Sequence, residues 1–119
     1  MADIYKGTGW GASIVGEIDE DGSVYKGYGW SKEYIGCVNK NGEVYKGSGW
    51  SKEYIGVVSD DGYVSKGYGW SKDNVGQIKH KRDIYKGVGW NSEYIGYVKD
   101  ERLALHGGAA LLLLIDSVL

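Results

Sequence analysis

Five lysines, Lys6, Lys26, Lys46, Lys66 and Lys86, recur every twenty residues. Each opens a Lys-Gly-x-Gly-Trp segment ending at Trp10, Trp30, Trp50, Trp70 or Trp90. Burying an ammonium without a partner is costly, and a solvated position seldom needs one residue type five times, so core packing does not explain the lysines. Gathered on one rim of a folded body, they would bind a small anion such as a phosphate, sulfate or carboxylate. A plainer alternative pairs each lysine with a carboxylate at Glu33, Glu53, Asp73 or Glu93, or lays its stem over a tryptophan. The first unit has Ser13 in place of that carboxylate.

The tryptophans carry two readings as well. In the packing reading, which is the expected one, each indole lies across the neighbouring hairpin or over a strand glycine. In the functional reading the five indoles line equivalent clefts between hairpins, where the face of a sugar or a cationic group would stack, and symmetry would make the binding multivalent. The tyrosines are expected to pack. Ser65 interrupts the series Tyr5, Tyr25, Tyr45 and Tyr85, and Ile14 and Asn74 interrupt the series Tyr34, Tyr54 and Tyr94.

Catalysis has little to work with. The histidines are His80, in the basic turn Lys79-His80-Lys81-Arg82, and His106. Neither has a cysteine, carboxylate or serine at a spacing that specifies a metal site or a nucleophilic triad. The repeated Gly-x-Gly lacks the third glycine and the following helix of a dinucleotide fingerprint. The expectation is a protein that is not an enzyme and uses no cofactor and no metal.

The elements that must position these residues follow from the repeat. The segments IYKGTGW, VYKGYGW, VSKGYGW and their like start at Ile4, Val24, Val44, Val64 and Ile84. The second half of each unit reads SIVGEI, EYIGCV, EYIGVV, DNVGQI or EYIGYV, and most copies then carry a turn such as DEDG, NKNG or SDDG. Asp-Gly and Asn-Gly between apolar runs signal hairpins. The natural hairpin therefore joins one unit's second strand to the next unit's first, for example Tyr34 to Val38, the turn 39–42, then Glu43 to Gly47.

Comparison among copies sorts core from surface. The series Ile4, Val24, Val44, Val64, Ile84, the series Val15, Ile35, Ile55, Val75, Ile95 and the series Ile18, Val38, Val58, Ile78, Val98 are always β-branched and are core candidates. Glu17, Cys37, Val57, Gln77 and Tyr97 share no chemistry and are expected to face solvent, as are Thr8, Tyr28, Ser48, Tyr68 and Val88. Two core positions three residues apart fall on opposite faces of a regular strand. They require either a bulge at the invariant glycine between them or burial on both faces. Each unit is too small to bury its own apolar face, so the units share a core, and a closed ring removes exposed edges. The ring closes either through the N-terminal strand or through residues 104–107.

Residues 103–115, LALHGGAALLLLI, are the most apolar stretch, and residues 109–119, apolar around a full helical turn except at Asp116 and Ser117, suit an element buried on all sides. A helix of about eleven residues, ~16 Å long, would match the ring along its axis. A membrane tail anchor is the competing reading, but a spanning helix needs about 20 apolar residues.

The chain has 119 residues, 21 glycines, no proline and a formal charge of -2. That length suits one domain, and interspersed charges give no global field toward nucleic acid or an anionic membrane. Nucleic acid and membrane are therefore not expected as partners, whereas a small anion or a carbohydrate is. Cys37 is the lone cysteine, and MADIYKG has no signal-peptide character, so a cytoplasmic location is expected.

The expected architecture is all-β: a closed ring of β-hairpins, fivefold pseudo-symmetric, from units 1–20, 21–40, 41–60, 61–80 and 81–100. A degenerate sixth first strand over 101–107 and the apolar segment 108–119, a helix or segment packed along the axis, complete it. The repeat IYKGxGWxxxYIGxV with its GGAALLLL tail resembles the bacterial β-flower proteins, short hairpin repeats around an axis. That resemblance implies a small symmetric all-β ring and no catalytic residues. A weaker likeness, in period and composition, is to choline-binding and related cell-wall-binding repeats, although the second tryptophan of those repeats is missing here. The expected function is a symmetric binding or structural module with an anion at the lysine ring. The alternatives are a lectin-like carbohydrate binder and a purely structural or oligomer-forming domain.

Overall fold

The computed structural model describes residues 2–7, 9–27, 29–47, 49–67, 73–80, 82–87, 90 and 92–99. These residues form ten strands: β1 (Ala2–Lys6), β2 (Ser13–Ile18), β3 (Ser23–Lys26), β4 (Glu33–Val38), β5 (Glu43–Lys46), β6 (Glu53–Val58), β7 (Tyr63–Lys66), β8 (Asp73–Lys79), β9 (Asp83–Lys86) and β10 (Glu93–Val98). β-branched and aromatic residues fill them, as suits a pleated and half-buried surface. Every strand pairs with its sequence neighbours, and the sheet closes into an antiparallel barrel when β1 meets β10 with Ile4 opposite Val98. Closure therefore runs through the N-terminal strand. The expected sixth strand over 101–107 and the axial segment 108–119 lie outside the described residues.

The choice between a bulge and two-sided burial is decided by register. In the ladder between β1 and β2, Ile4 faces Gly16 and Tyr5 faces Ile14, so Val15 is skipped. The same shift skips Ile35, Ile55, Val75 and Ile95 in the equivalent ladders. Each is a bulge with one extra residue on the longer strand. Its carbonyl is not left idle, because Gly27 donates to Val15 at 3.0 Å and Gly7 to Ile95 at 2.8 Å. The skipped residues are half-buried and pack against the core from its margin.

The core consists of Ala2 with two of the three expected series. Ile4, Val24, Val44, Val64 and Ile84 are fully buried, and Ile18, Val38, Val58, Ile78 and Val98 nearly so. Burying one such side chain stabilises by about 1.5–3 kcal/mol, and a one-residue slip would turn a whole strand's set outward, so register is firmly specified.

The hairpin turns differ from a two-residue Asn-Gly loop. Gly42 donates to the Asn39 carbonyl at 3.0 Å and has φ of 86°, so the turn ends in a left-handed glycine immediately before the next strand. The glycine is also needed for close approach. A Cβ on Gly22 would overlap the carbonyl oxygen of Val38, whose own N–H donates to Gly22 at 2.9 Å. The fourth turn has no glycine, and there His80 takes the left-handed conformation with φ of 57°.

Candidate functional site

An antiparallel barrel puts alternate loops at opposite ends. The loops after β1, β3, β5, β7 and β9 share one end, and these are the Lys-Gly-x-Gly-Trp loops. Each invariant lysine is the last residue of its short strand and is exposed. Lys26 lies two residues after the buried Val24, so pleating gives it inward parity, but it stands beyond the last core layer. The other four lysines repeat this placement, which brings all five to the end of the barrel.

Their cross-strand neighbours explain part of the invariance. On one side Lys26 faces Gly16, Lys46 faces Gly36, Lys66 faces Gly56, Lys86 faces Gly76 and Lys6 faces Gly96. Glycine offers no side chain to cover the lysine stem. On the other side Lys26 faces Glu33, Lys46 faces Glu53, Lys66 faces Asp73 and Lys86 faces Glu93, whereas Lys6 faces Ser13. The carboxylates named from sequence are thus direct ladder neighbours, in the arrangement where opposite charges contribute a few tenths of a kcal/mol or more.

The four described tryptophans match neither the expected packing nor the expected cleft geometry. Trp10, Trp30, Trp50 and Trp90 have relative exposures of 103–107%, so these indoles neither pack on a hairpin or glycine nor sit between walls. Trp70 lies outside the described residues, as do Thr8, Tyr28, Ser48, Tyr68 and Val88. The reason is local. Single 3-10 turns at Gly9–Gly11, Gly29–Ser31 and Gly49–Ser51 carry a tryptophan in their middle, clear of the sheet. Exposure near 100% for so large an apolar group is unusual and marks a surface available to a partner.

Two further cations reach this end. Lys32 lies 4.7 Å from the centroid of the Tyr25 ring and Lys52 lies 4.9 Å from that of Tyr45, both over the ring face. Lys32 also approaches Glu17 at 3.7 Å, and Glu17 accepts from the Gly29 N–H at 3.2 Å. Sequence reasoning passed over Lys32 and Lys52, although the Trp-Ser-Lys triplet in units two to four signalled them.

The outer wall is a tyrosine belt, in keeping with the packing role expected for it. Tyr25 meets Tyr34 edge-on with centroids 5.7 Å apart, and Tyr45 meets Tyr54 at 5.4 Å. Tyr85 stacks on Tyr94 at 5.4 Å. The interruptions are matched: Ser65 faces Asn74 across one ladder, and Tyr5, which faces Ile14, stacks instead on Tyr97 at 4.7 Å. The phenol of Tyr34 is pushed up to about 12 by burial and by its hydrogen bond with Cys37. Burial raises Tyr54 and Tyr94 too, with the Glu43 and Asp83 charges adding to it. The belt also corrects one expectation, since Glu17, Cys37, Val57, Gln77 and Tyr97 lie on the outer face but are half-covered.

At the opposite end the basic turn spends its charge on neighbours. Lys79 lies over the Tyr85 ring at 4.6 Å, while Arg82 lies over Tyr97 at 5.0 Å and within 3.5 Å of Asp83. Among the described residues no three His, Cys, Asp or Glu side chains gather as a metal site, and no helix is long and apolar enough to cross a membrane. Comparison with known proteins finds no matching family model, no matching curated protein and no matching solved structure.

Proposed function

We propose that this chain is a non-enzymatic binding module that takes an anion at the lysine end of the barrel. The observation that supports it most is the recurrence of one exposed lysine, with inward parity and a glycine beside it, at the end of five strands. Ammonium groups gathered at one end of a barrel repel one another, and an anion shared among them relieves that repulsion. The ladder carboxylates offset part of the charge and leave the ring selective for multivalent anions over chloride. A fivefold reading of the twenty-residue unit, with residues 108–119 along the axis, accounts for the identity of the five lysines.

Titration with inorganic phosphate, followed by calorimetry and by the shift in melting temperature, tests the proposal. The wild-type chain should be stabilised in a saturable way, and a variant with Lys26→Gln, Lys46→Gln and Lys66→Gln should lose most of that response. Equal stabilisation of both proteins would sink the lysine ring as the site. The carbohydrate reading keeps some support from the exposed indoles, which would have to work as open platforms and not as clefts. A glycan array read by tryptophan quenching would test it.

A further inference from the structure

The lysine end carries a second feature that a small anion leaves unused. Trp10, Trp30, Trp50 and Trp90 stand in the loops immediately after Lys6, Lys26, Lys46 and Lys86, and all four indoles are fully exposed. Topology sets these loops around the same end of the barrel. Small-ligand sites are concave, and an indole without walls cannot enclose one. A circle of protruding indoles instead fits a flat, extended partner that all of them reach at once.

We infer that this end docks on an anionic lipid bilayer, with the indoles in the headgroup layer and the lysines against the lipid phosphates. Tryptophan is enriched at membrane–water interfaces because its ring is apolar while its N–H keeps a polar partner. Charge complementarity favours lipid over a neutral flat surface such as a polysaccharide. The described residues at this end supply the ammoniums of Lys6, Lys26, Lys46, Lys66, Lys86, Lys32 and Lys52. Against them stand the carboxylates of Glu33, Glu53, Asp73, Glu93 and Glu17, so a positive excess remains. The near-neutral charge of the whole chain concealed this local excess. The inference rests on the lysine end being an anion site, and it names the anion as a lipid phosphate held in a surface.

Sedimentation with vesicles tests it, using phosphatidylcholine alone and a mixture containing phosphatidylglycerol, with tryptophan emission recorded alongside. The full chain should sediment with the mixed vesicles only, its emission should shift to the blue, and 0.5 M salt should release it. Losing two lysines, Lys26→Gln with Lys46→Gln, should lower partitioning by about 25-fold at roughly fivefold each. Changing Trp10, Trp30, Trp50 and Trp90 to Ala should abolish sedimentation while the response to inorganic phosphate and the unfolding midpoint stay as in wild type. No sedimentation with mixed vesicles overturns the inference, and retained phosphate binding would then leave the anion site standing. Sedimentation that survives the tryptophan changes, or retention on cellulose or chitin without any on vesicles, overturns it as well. Vesicle binding with no phosphate response would reject the small-anion site and keep the surface as the partner.

Discussion

Alanine substitution at three glycines separates conformational strain from close approach, and the magnitudes can be worked out in advance. Gly62 has φ of 89°, and a Cβ there would stand 2.5 Å from the carbonyl oxygen of Ile78. Placing alanine in the left-handed region costs about 1–2 kcal/mol. Relieving the overlap means moving the end of β8, which weakens the 2.7 Å bond from the Ile78 N–H to Gly62 by about 1 kcal/mol. The sum for Gly62→Ala is about 2–3 kcal/mol. Gly29 has φ of 67° but opens onto free space, so Gly29→Ala should cost only the conformational part, about 1 kcal/mol. Gly11 has neither a positive φ nor a neighbour within 4 Å. Gly11→Ala should therefore be neutral or stabilise by about 0.5 kcal/mol, because alanine restricts the unfolded chain. Urea denaturation followed by circular dichroism reads all three, and in a thermal scan the first should lower the melting temperature by roughly 8–12 °C. Equal losses at Gly62 and Gly29 would refute the claim that the turn glycines exist to admit the neighbouring strand.

Three other outcomes are expected. The raised phenols of Tyr34, Tyr54 and Tyr94 keep their protons in the fold longer than in the unfolded chain. Their contribution to stability is therefore complete below about pH 10 and declines as pH rises toward about 12. A triple tyrosine-to-phenylalanine variant that declines as steeply as wild type between those values would contradict this. Closure through β1 predicts slow hydrogen exchange at the Gly7 and Lys99 amides, which donate to Ile95 and Asp3, comparable to exchange at Gly27. Rapid exchange confined to those two amides would mean an open seam. A double-mutant cycle on Tyr45→Ala and Tyr54→Ala should return a coupling of about 0.5–1.5 kcal/mol, and additivity would deny their edge-on contact any energetic role.

Much of the frame was readable from the repeat. Two of the three β-branched series located the core, and the half-unit offset of the hairpins placed β4 and β5 within a residue of their observed bounds. The bulge was named as one of two solutions because Val15 and Ile18 are three apart, and the ladders supply the missing datum by skipping Val15. Closure was expected, but its route was left open between the N-terminal strand and residues 104–107, since nothing in Ile4 or Val98 specifies pairing between strands more than ninety residues apart. Turn type was left open for a related reason. Asn-Gly fits two loop geometries, and which one forms depends on the approach of the next strand to the glycine.

The tryptophans show where comparison among copies stops being informative. Five identical residues in five units establish that the five environments are alike, but they do not say whether those environments are buried. For the valines and isoleucines the ambiguity is small, because hydrophobicity and strand parity agree. For a tryptophan in a Gly-x-Gly-Trp loop no parity exists, and packing was inferred from size alone. The 3-10 turn removes the indole from the sheet, and with it the reason to treat invariance as a sign of core. The lysines pose the converse problem: their parity is that of the core residues two positions earlier, yet the strand ends before a further layer can cover them. An apolar side chain in the position of the lysine would prolong the core, and an indole in the position of a loop polar residue would ordinarily be avoided. That both exchanges recur together at the same end of the barrel, unit after unit, is the physical reason to treat lysine and tryptophan as one surface. It is also why their substitutions should be compared in the same binding assay.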